Sequence, residues 1–138
     1  MTSPARTSIS DFPRGHEFAS SAFAISGAQA EAYLRAVGDT GNYARNVPPL
    51  AAVALGLAAL QERIALPDGS LHTGQEVEHL ASIAVGEPLT LSARVAQRSE
   101  RQGMVISVIE FEIASTSSIA IRARSTIMAP ARAAVAGS

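Results

Sequence analysis

An eleven-residue stretch, residues 50–60, contains no polar side chain. It directly follows Pro48 and Pro49, and proline is favoured in the first turn of a helix, so we predict a helix from Pro48 to about Ile64. Because its residues are apolar on every side, the pattern predicts a helix buried all round. The stretch is far shorter than the roughly 20 apolar residues of a membrane span, so its surroundings should be protein. We therefore expect a sheet that wraps around this helix. Its buried side chains should include Leu50, Val53, Leu55, Leu57 and Leu60.

The composition excludes several classes of protein. The chain has 138 residues, enough for one domain with a substantial core. It has no cysteine, so disulfides, thiolate metal sites and a cysteine nucleophile are excluded. Its net charge of −1 and few aromatic residues do not suit a nucleic-acid binder. No N-terminal segment resembles a signal peptide, so we expect a cytoplasmic protein without a membrane span.

The chain divides into a leader, one domain and a tail. Residues 1–15 and 131–138 are rich in small or polar residues, and we predict a flexible leader and a flexible tail there. Within the domain of residues 16–130, residues 17–25 fit a first strand. Ser26 and Gln29 then form a capping-box pattern, and Gly38 provides a C-terminal stop. A first helix is therefore predicted at residues 27–37.

The C-terminal half reads as a three-stranded meander. We interpret residues 101–103 and 116–118 as three-residue hairpin loops, which places charged residues on one face and apolar residues on the other. The arginines at positions 94, 98, 101, 122 and 124 could bind the phosphates of a coenzyme or an acidic carrier protein. Pairing with Glu110 and Glu112 on a solvated face explains Arg94, Arg122 and Arg124 without a ligand. The face becomes apolar near Ile106, Val108 and Met128, where we expect a bulge or a partner. The predicted cross-strand rows are Arg94–Glu110–Arg124 and Ser92–Glu112–Arg122.

Few residues carry obvious chemistry. The three histidines, at positions 16, 72 and 79, have no metal-ligand spacing, so no metal site is expected. No serine lies in a nucleophile-elbow pattern. The loop before the apolar helix is more informative, because Asp39 and Asn42 precede a helix start whose amides are exposed. Both residues also fit ordinary turn roles.

Five motifs in a characteristic order resemble one known family. They are residues 33–39 (YLRAVGD), 47–49 (VPP), 71–76 (LHTGQE), 85–89 (VGEPL) and 127–130 (IMAP). Together they resemble the MaoC-like (R)-specific enoyl hydratases and 3-hydroxyacyl dehydratases, particularly the branch related to the fatty-acid-synthase dehydratase domain. The resemblance implies an α+β single hot-dog fold, an antiparallel sheet wrapped around a central buried helix. It also implies a dimer that threads acyl thioesters along its interface and reversibly hydrates trans-2-enoyl thioesters to (R)-3-hydroxyacyl thioesters.

The catalytic signature of this family is incomplete here. In the family an aspartate is followed five residues later by a histidine, usually with Asn-Pro between them. Asp39 matches the aspartate, but position 44 is alanine. His72 is the histidine whose context matches a recurrent family segment, although it also fits a polar residue hydrogen-bonded at a strand start. The resemblance therefore nominates Asp39 and His72 as catalytic, and it nominates as substrate-binding residues Asn42, Tyr43, Val47, Leu50 and Gln75.

These features favour a role in fatty acid or polyketide metabolism. Because Ala44 replaces the family histidine, we predict a dehydratase subunit that shapes the substrate tunnel and has little or no activity alone. The alternatives are a thioesterase that uses a carboxylate near the central helix and a non-catalytic acyl-binding protein. The expected partner is a second copy or a related hot-dog subunit. The expected substrate is a thioester of coenzyme A or acyl carrier protein, and no cofactor is expected.

Overall fold

The computed structural model describes residues 6–39 and 45–131. The strands are β1 (Thr7–Ser8), β2 (Glu17–Phe23), β3 (Ile64–Ala65), β4 (Leu71–His79), β5 (Leu89–Arg101), β6 (Met104–Ala114) and β7 (Ile119–Pro130), and the helices are α1 (Gly27–Val37) and α2 (Pro49–Gln61). Five of the strands form an antiparallel sheet in the order β2-β5-β6-β7-β4, and the short strands β1 and β3 pair in parallel. The strands β2 and β4 are therefore the edges of the sheet.

The first helix begins and ends where the sequence predicts. The Ser26 hydroxyl accepts a hydrogen bond from the Gln29 amide at 3.1 Å, and the Gln29 side chain accepts one from the Ser26 amide at 2.9 Å. Gly38 adopts a left-handed conformation (φ 70°) directly after α1. The predicted capping box and glycine stop are both confirmed. The first strand is shorter than predicted, because β2 ends at Phe23 rather than Ile25.

The meander has the predicted charged rows, but its two loops contain two residues (102–103) and four residues (115–118), where three were predicted in each. Glu110 lies opposite both Arg94 and Arg124, and Glu112 lies opposite Arg122. The first turn is nevertheless a two-residue loop, because Arg101 pairs with Met104. Its residues have positive φ angles, 51° at Gln102 and 79° at Gly103, as a type I′ hairpin requires. A bulge in β5 between Val95 and Gln97, beside Val108, then restores the predicted register.

The second helix is buried on one side only. Its buried residues include Val53, Gly56 and Leu60, but Leu50 is 60% exposed and Ala54 and Ala58 are exposed too. Leu55 and Leu57 are only partly buried. The prediction of a helix buried all round is therefore wrong for this chain taken alone. Residues 50, 54 and 58 lie about one turn apart, on the side of α2 that the sheet does not cover.

At its buried side α2 lies very close to the sheet. A Cβ atom at Gly56 would lie 2.9 Å from Cδ1 of Ile113 on β6. Glycine is therefore the residue that permits this approach. No helix in the described part of the chain is long and apolar enough to cross a membrane.

Residues 7–11, within the leader predicted for residues 1–15, form a short strand and a turn that are partly buried. Strand β1 pairs with β3, and Ile9 and Ser10 are buried in the turn that follows. The Ser10 hydroxyl donates a hydrogen bond to the Pro130 carbonyl at 2.6 Å, and the Arg98 guanidinium donates to the Ser10 carbonyl at 2.9 Å. The prediction missed this segment because its partners are distant in sequence. Residues 1–5 and 132–138 lie outside the described residues.

Candidate functional site

The predicted catalytic loop begins with a defined backbone turn. The Gly38 amide donates a hydrogen bond to the Arg35 carbonyl, and the Asp39 amide donates to the Leu34 carbonyl at 2.9 Å. This pair of bonds is a Schellman motif, which fixes the backbone of Asp39 just after α1. Asp39 is half-buried. Asn42, Tyr43 and Ala44, which the resemblance places in the same site, lie outside the described residues.

Two of the predicted substrate-binding residues lie at the start of α2. Val47 is buried, and its amide donates a hydrogen bond to the Ile83 carbonyl at 2.7 Å. Leu50, in the first turn of the helix, projects from the uncovered side of α2. The residue before the helix is Pro48, and no side chain of a described residue caps the first turn. The exposed apolar side of α2 therefore starts beside this loop.

The other predicted residues, His72 and Gln75, lie on β4. They are three positions apart, which would put them on opposite faces of a regular strand. A bulge between His72 and Gly74 brings both to the face that carries the core, where they lie opposite Ile127 and Ser125 respectively. The Ser125 hydroxyl donates a hydrogen bond to the side-chain oxygen Oε1 of Gln75 at 2.9 Å. The structure thus places His72 and Gln75 on one side of the sheet.

Among the described residues, no histidine forms an acid/base pair with a carboxylate. His72 is exposed, and no hydrogen bond or ion pair joins it to another described residue. His79 is exposed at the end of β4. His16 packs against the rings of Phe12 and Phe18 in a cluster of three rings, with centroid distances of 4.7 and 4.8 Å to the two phenylalanines. The described residues contain no group of three or more histidine and carboxylate side chains positioned to hold a metal ion.

Two buried serines lie on the same face of the sheet as His72 and Gln75, and the sequence analysis missed both. Ser107 on β6 is 1% exposed, and its hydroxyl has no hydrogen-bond partner among the described residues. It lies opposite Ile127, the residue that also lies opposite His72. We call His72, Gln75, Ser107 and Ser125 the inner polar patch. The sequence signal for Ser107 is a serine at a position where strand alternation predicts an apolar residue. Ser107 lies on the same face of β6 as Val105 and Ile109, which are two positions away on either side.

The arginines of the opposite face are paired, as the sequence favoured. The shortest nitrogen–oxygen distances are 2.9 Å between Arg94 and Glu110, 3.5 Å between Arg124 and Glu110, and 3.8 Å between Arg122 and Glu112. These arginines are therefore engaged in the sheet. The chemistry available at the predicted site residues is the Asp39 carboxylate directly after α1 and, on β4, the His72 imidazole with neutral hydrogen-bonding groups.

Comparison with known proteins gives structural relatives but no sequence relatives. No protein-family model matches the chain, and no curated protein matches it in sequence. The structure does match the unliganded (R)-hydratase PhaJ1 from Pseudomonas aeruginosa, with a TM-score of 0.71 and 16% identity over 91% of this chain and 86% of that one. It also matches the MaoC-like dehydratase from Rhodospirillum rubrum, with a TM-score of 0.71 and 13% identity over 90% of this chain and 97% of that one.

A third match is to a complex. The C-terminally truncated HadBC complex of Mycobacterium tuberculosis, named as a 3R-hydroxyacyl-ACP dehydratase, aligns with a TM-score of 0.64 and 18% identity, covering 83% of this chain and 96% of that one. At these identities the likeness establishes the fold. The α+β hot-dog fold expected from the motifs is confirmed, and it is the fold of MaoC-like hydratases and dehydratases.

Proposed function

We propose that this chain is a MaoC-like acyl-thioester dehydratase or enoyl hydratase subunit that shapes the substrate tunnel of a two-subunit enzyme. The observation that carries the proposal is the match to an (R)-hydratase and a MaoC-like dehydratase along about nine-tenths of the chain. The match to HadBC, which is itself a complex, supports a role as one of two subunits.

The absence of the family histidine supports the second half of the proposal. Alanine stands at position 44, five residues after Asp39. One positioned acid or base contributes about 10²–10⁴-fold to the rate of such a reaction. His72 is not joined to a carboxylate among the described residues. We therefore assign the main acid/base chemistry to the other subunit.

The uncovered side of α2 is the place where we put the acyl chain. Leu50, Ala54 and Ala58 give it an apolar surface that begins at the catalytic loop. Apolar surface that is left open on a folded chain marks a binding or interaction site. His72 and Gln75, the exposed members of the inner polar patch, offer hydrogen bonds to the polar end of the substrate, a thioester of coenzyme A or acyl carrier protein.

Hydration assays test the activity of the chain alone. The purified chain is given crotonyl-CoA or 2-octenoyl-CoA, and loss of the enoyl chromophore is followed. We expect feeble hydration, and Ala44→His should raise it if the loop keeps the family geometry. Robust hydration by the wild-type chain that is lost on Asp39→Asn or His72→Ala would contradict the assignment of a non-catalytic subunit. Release of the coenzyme A thiol would instead identify a thioesterase.

A second experiment supplies the missing subunit. Co-purification from the native host should yield a related hot-dog protein that has the aspartate and histidine five residues apart. The mixture should hydrate the same substrates, and it should stay active when Asp39 of this chain is changed to Asn. Loss of activity in that mixture would place catalysis in this chain. Acyl-CoA binding without turnover in every combination would identify an acyl-binding protein.

A further inference from the structure

The edge strand β4 is open to a partner. It pairs with β7 on one side, and in the described part of the chain no strand lies on its other side. Its nine residues are exposed almost throughout, on both faces of the sheet. A free strand edge presents unpaired N–H and C=O groups, which makes it a template for another strand.

Two carboxylates on this edge are not paired. Glu76 and Glu78 lie on the outer face of the sheet, opposite Arg124 and Arg122. Those two arginines instead form ion pairs with glutamates of β6, and neither Glu76 nor Glu78 is within ion-pair distance of a basic residue in the described part of the chain. The edge therefore carries two exposed negative charges, two positions apart.

The outer face beside this edge is also negative. A groove of about 480 Å³ extends from β6 to β4. Its charged lining consists of four glutamates and two arginines, which leaves an excess of two negative charges. These residues are Glu76, Glu78, Glu110, Glu112, Arg122 and Arg124. Long basic side chains entering from the edge would meet a surface of opposite charge.

A second copy of this chain fits the edge poorly. In an antiparallel pair, residues directly opposite each other lie on the same face of the sheet. Strand β4 contains no lysine or arginine, and its only charged residues on the outer face are Glu76 and Glu78. Any register that sets Glu76 or Glu78 of one β4 strand opposite Glu76 or Glu78 of the other brings carboxylates together, and no register offers them a lysine or arginine. Like charges directly opposite destabilise a sheet, and charged edge strands hinder self-association.

We propose that β4 pairs with the edge strand of a different subunit, one that carries arginine or lysine at two positions separated by one residue, facing Glu76 and Glu78. This inference rests on the proposed function in that it specifies the partner of the two-subunit enzyme. The basic side chains neutralise the groove, and the partner strand covers the exposed β4. Glu76 and Glu78 thus select against a second copy and for a basic partner.

A charge-reversed copy of the chain serves as the basic partner in the test. The wild-type chain and the Glu76→Arg/Glu78→Arg variant are measured separately and mixed, and native mass spectrometry resolves the three dimers by mass. We expect mixed dimers with a dissociation constant at least tenfold lower than that of either homodimer, and weaker pairing at high salt. The control variant Glu31→Arg/Glu62→Arg carries the same charge change on exposed residues of α1 and the end of α2. It should show no preference for mixed dimers.

Two results would overturn the proposal. One is a statistical mixture of the three dimers, which shows that Glu76 and Glu78 do not select the partner. The other is the absence of mixed dimers at all concentrations, which shows that this edge does not pair. The measurement uses no thioester, so either result leaves the proposed chemistry to its own assays. If mixed dimers form but preparations of the two subunits are inactive, the proposed function is wrong and the assignment of β4 as a docking surface still stands.

Discussion

Three serines buried in this fold differ in what their hydroxyls contact. Ser10 donates to a backbone carbonyl and Ser125 to the Gln75 side chain, whereas the Ser107 hydroxyl has no partner among the described residues. A buried polar group without a hydrogen bond costs about 1–3 kcal/mol. Such a group is tolerated where it has a role in binding or where ordered water reaches it. Replacing Ser107 therefore tests whether its hydroxyl destabilises the fold and is kept for a role in binding.

Ser107→Ala should raise the free energy of unfolding by about 1 kcal/mol, because it removes an unpaired buried hydroxyl. The matched variant Ser125→Ala should lower it by about 1 kcal/mol, because it breaks the bond to Gln75. Urea denaturation of both variants measures the difference. Equal destabilisation by the two substitutions would mean that the Ser107 hydroxyl has a partner in solution, such as an ordered water molecule.

At the scale of single elements, α2 and the β5–β6 hairpin depend on unusual positions. Gly56 allows the helix to approach β6, and Gln102 adopts a left-handed conformation in the hairpin turn. Both positions set the geometry of the elements around them. At each position there is a substitution for which we can predict whether the free energy of unfolding rises or falls.

Gly56→Ala should lower the free energy of unfolding by about 1 kcal/mol. Alanine favours the helix by about 1 kcal/mol, but overpacking against the fully buried Ile113 costs about 1–3 kcal/mol. In an Ile113→Val background, which lacks the Cδ1 atom, the same change should become stabilising. A double-mutant cycle by urea denaturation checks this reversal. An unchanged cost in the valine background would show that the contact with Ile113 does not limit the approach.

Gln102→Asn should raise the free energy of unfolding by about 0.5 kcal/mol, because asparagine tolerates a left-handed φ better than glutamine. Thermal unfolding of the variant measures this gain. The control is Gln97→Asn on β5, the strand that leads into the turn, at a position without a positive φ. If both changes have the same effect, turn geometry is not the cause.

Much of the element structure follows from local chemistry and was predictable. The capping box at Ser26, the stop at Gly38 and the row through Glu110 each depend on residues near in sequence or on strand alternation. The hairpin turn was assigned one residue too long. The bulge in β5 compensates for this difference in loop length, so the predicted pairing of Arg94 with Glu110 is confirmed.

Features that depend on distant residues were not predictable. The pairing of β1 with β3 and the burial of Ser10 depend on parts of the chain far along the sequence. The open side of α2 was missed because an apolar pattern shows which residues can be buried. It does not show whether residues of the same chain or of another subunit bury them. Within the site, Asp39 could be placed after α1 from the glycine stop, whereas the bulge that brings His72 beside Gln75 has no clear sequence signal.

At the scale of the whole molecule, α2 is a core element on one side and an open surface on the other. Leu50 lies on the open side, so changing it to Asn should alter the free energy of unfolding by less than about 0.5 kcal/mol. The same change should weaken binding of octanoyl-CoA by tenfold or more, measured by calorimetry with the two-subunit enzyme. The control Leu66→Asn, at a residue that is 43% exposed beside β3, should affect neither quantity. Unchanged binding in the Leu50 variant would exclude the open side of α2 as the acyl site.

The position of β4 in the sheet also determines how late during synthesis of the chain β4 can pair with its neighbour. Its neighbour β7 is the last of the five strands of this sheet along the chain, and β5 and β6 are synthesised between β4 and β7. The hydrogen bond from Ser10 to Pro130 joins residues 120 positions apart, so it too waits for the end of β7. Until then β4 has no strand beside it on the ribosome. The edge that would receive another subunit is thus completed last, and assembly through it must follow synthesis of the whole sheet.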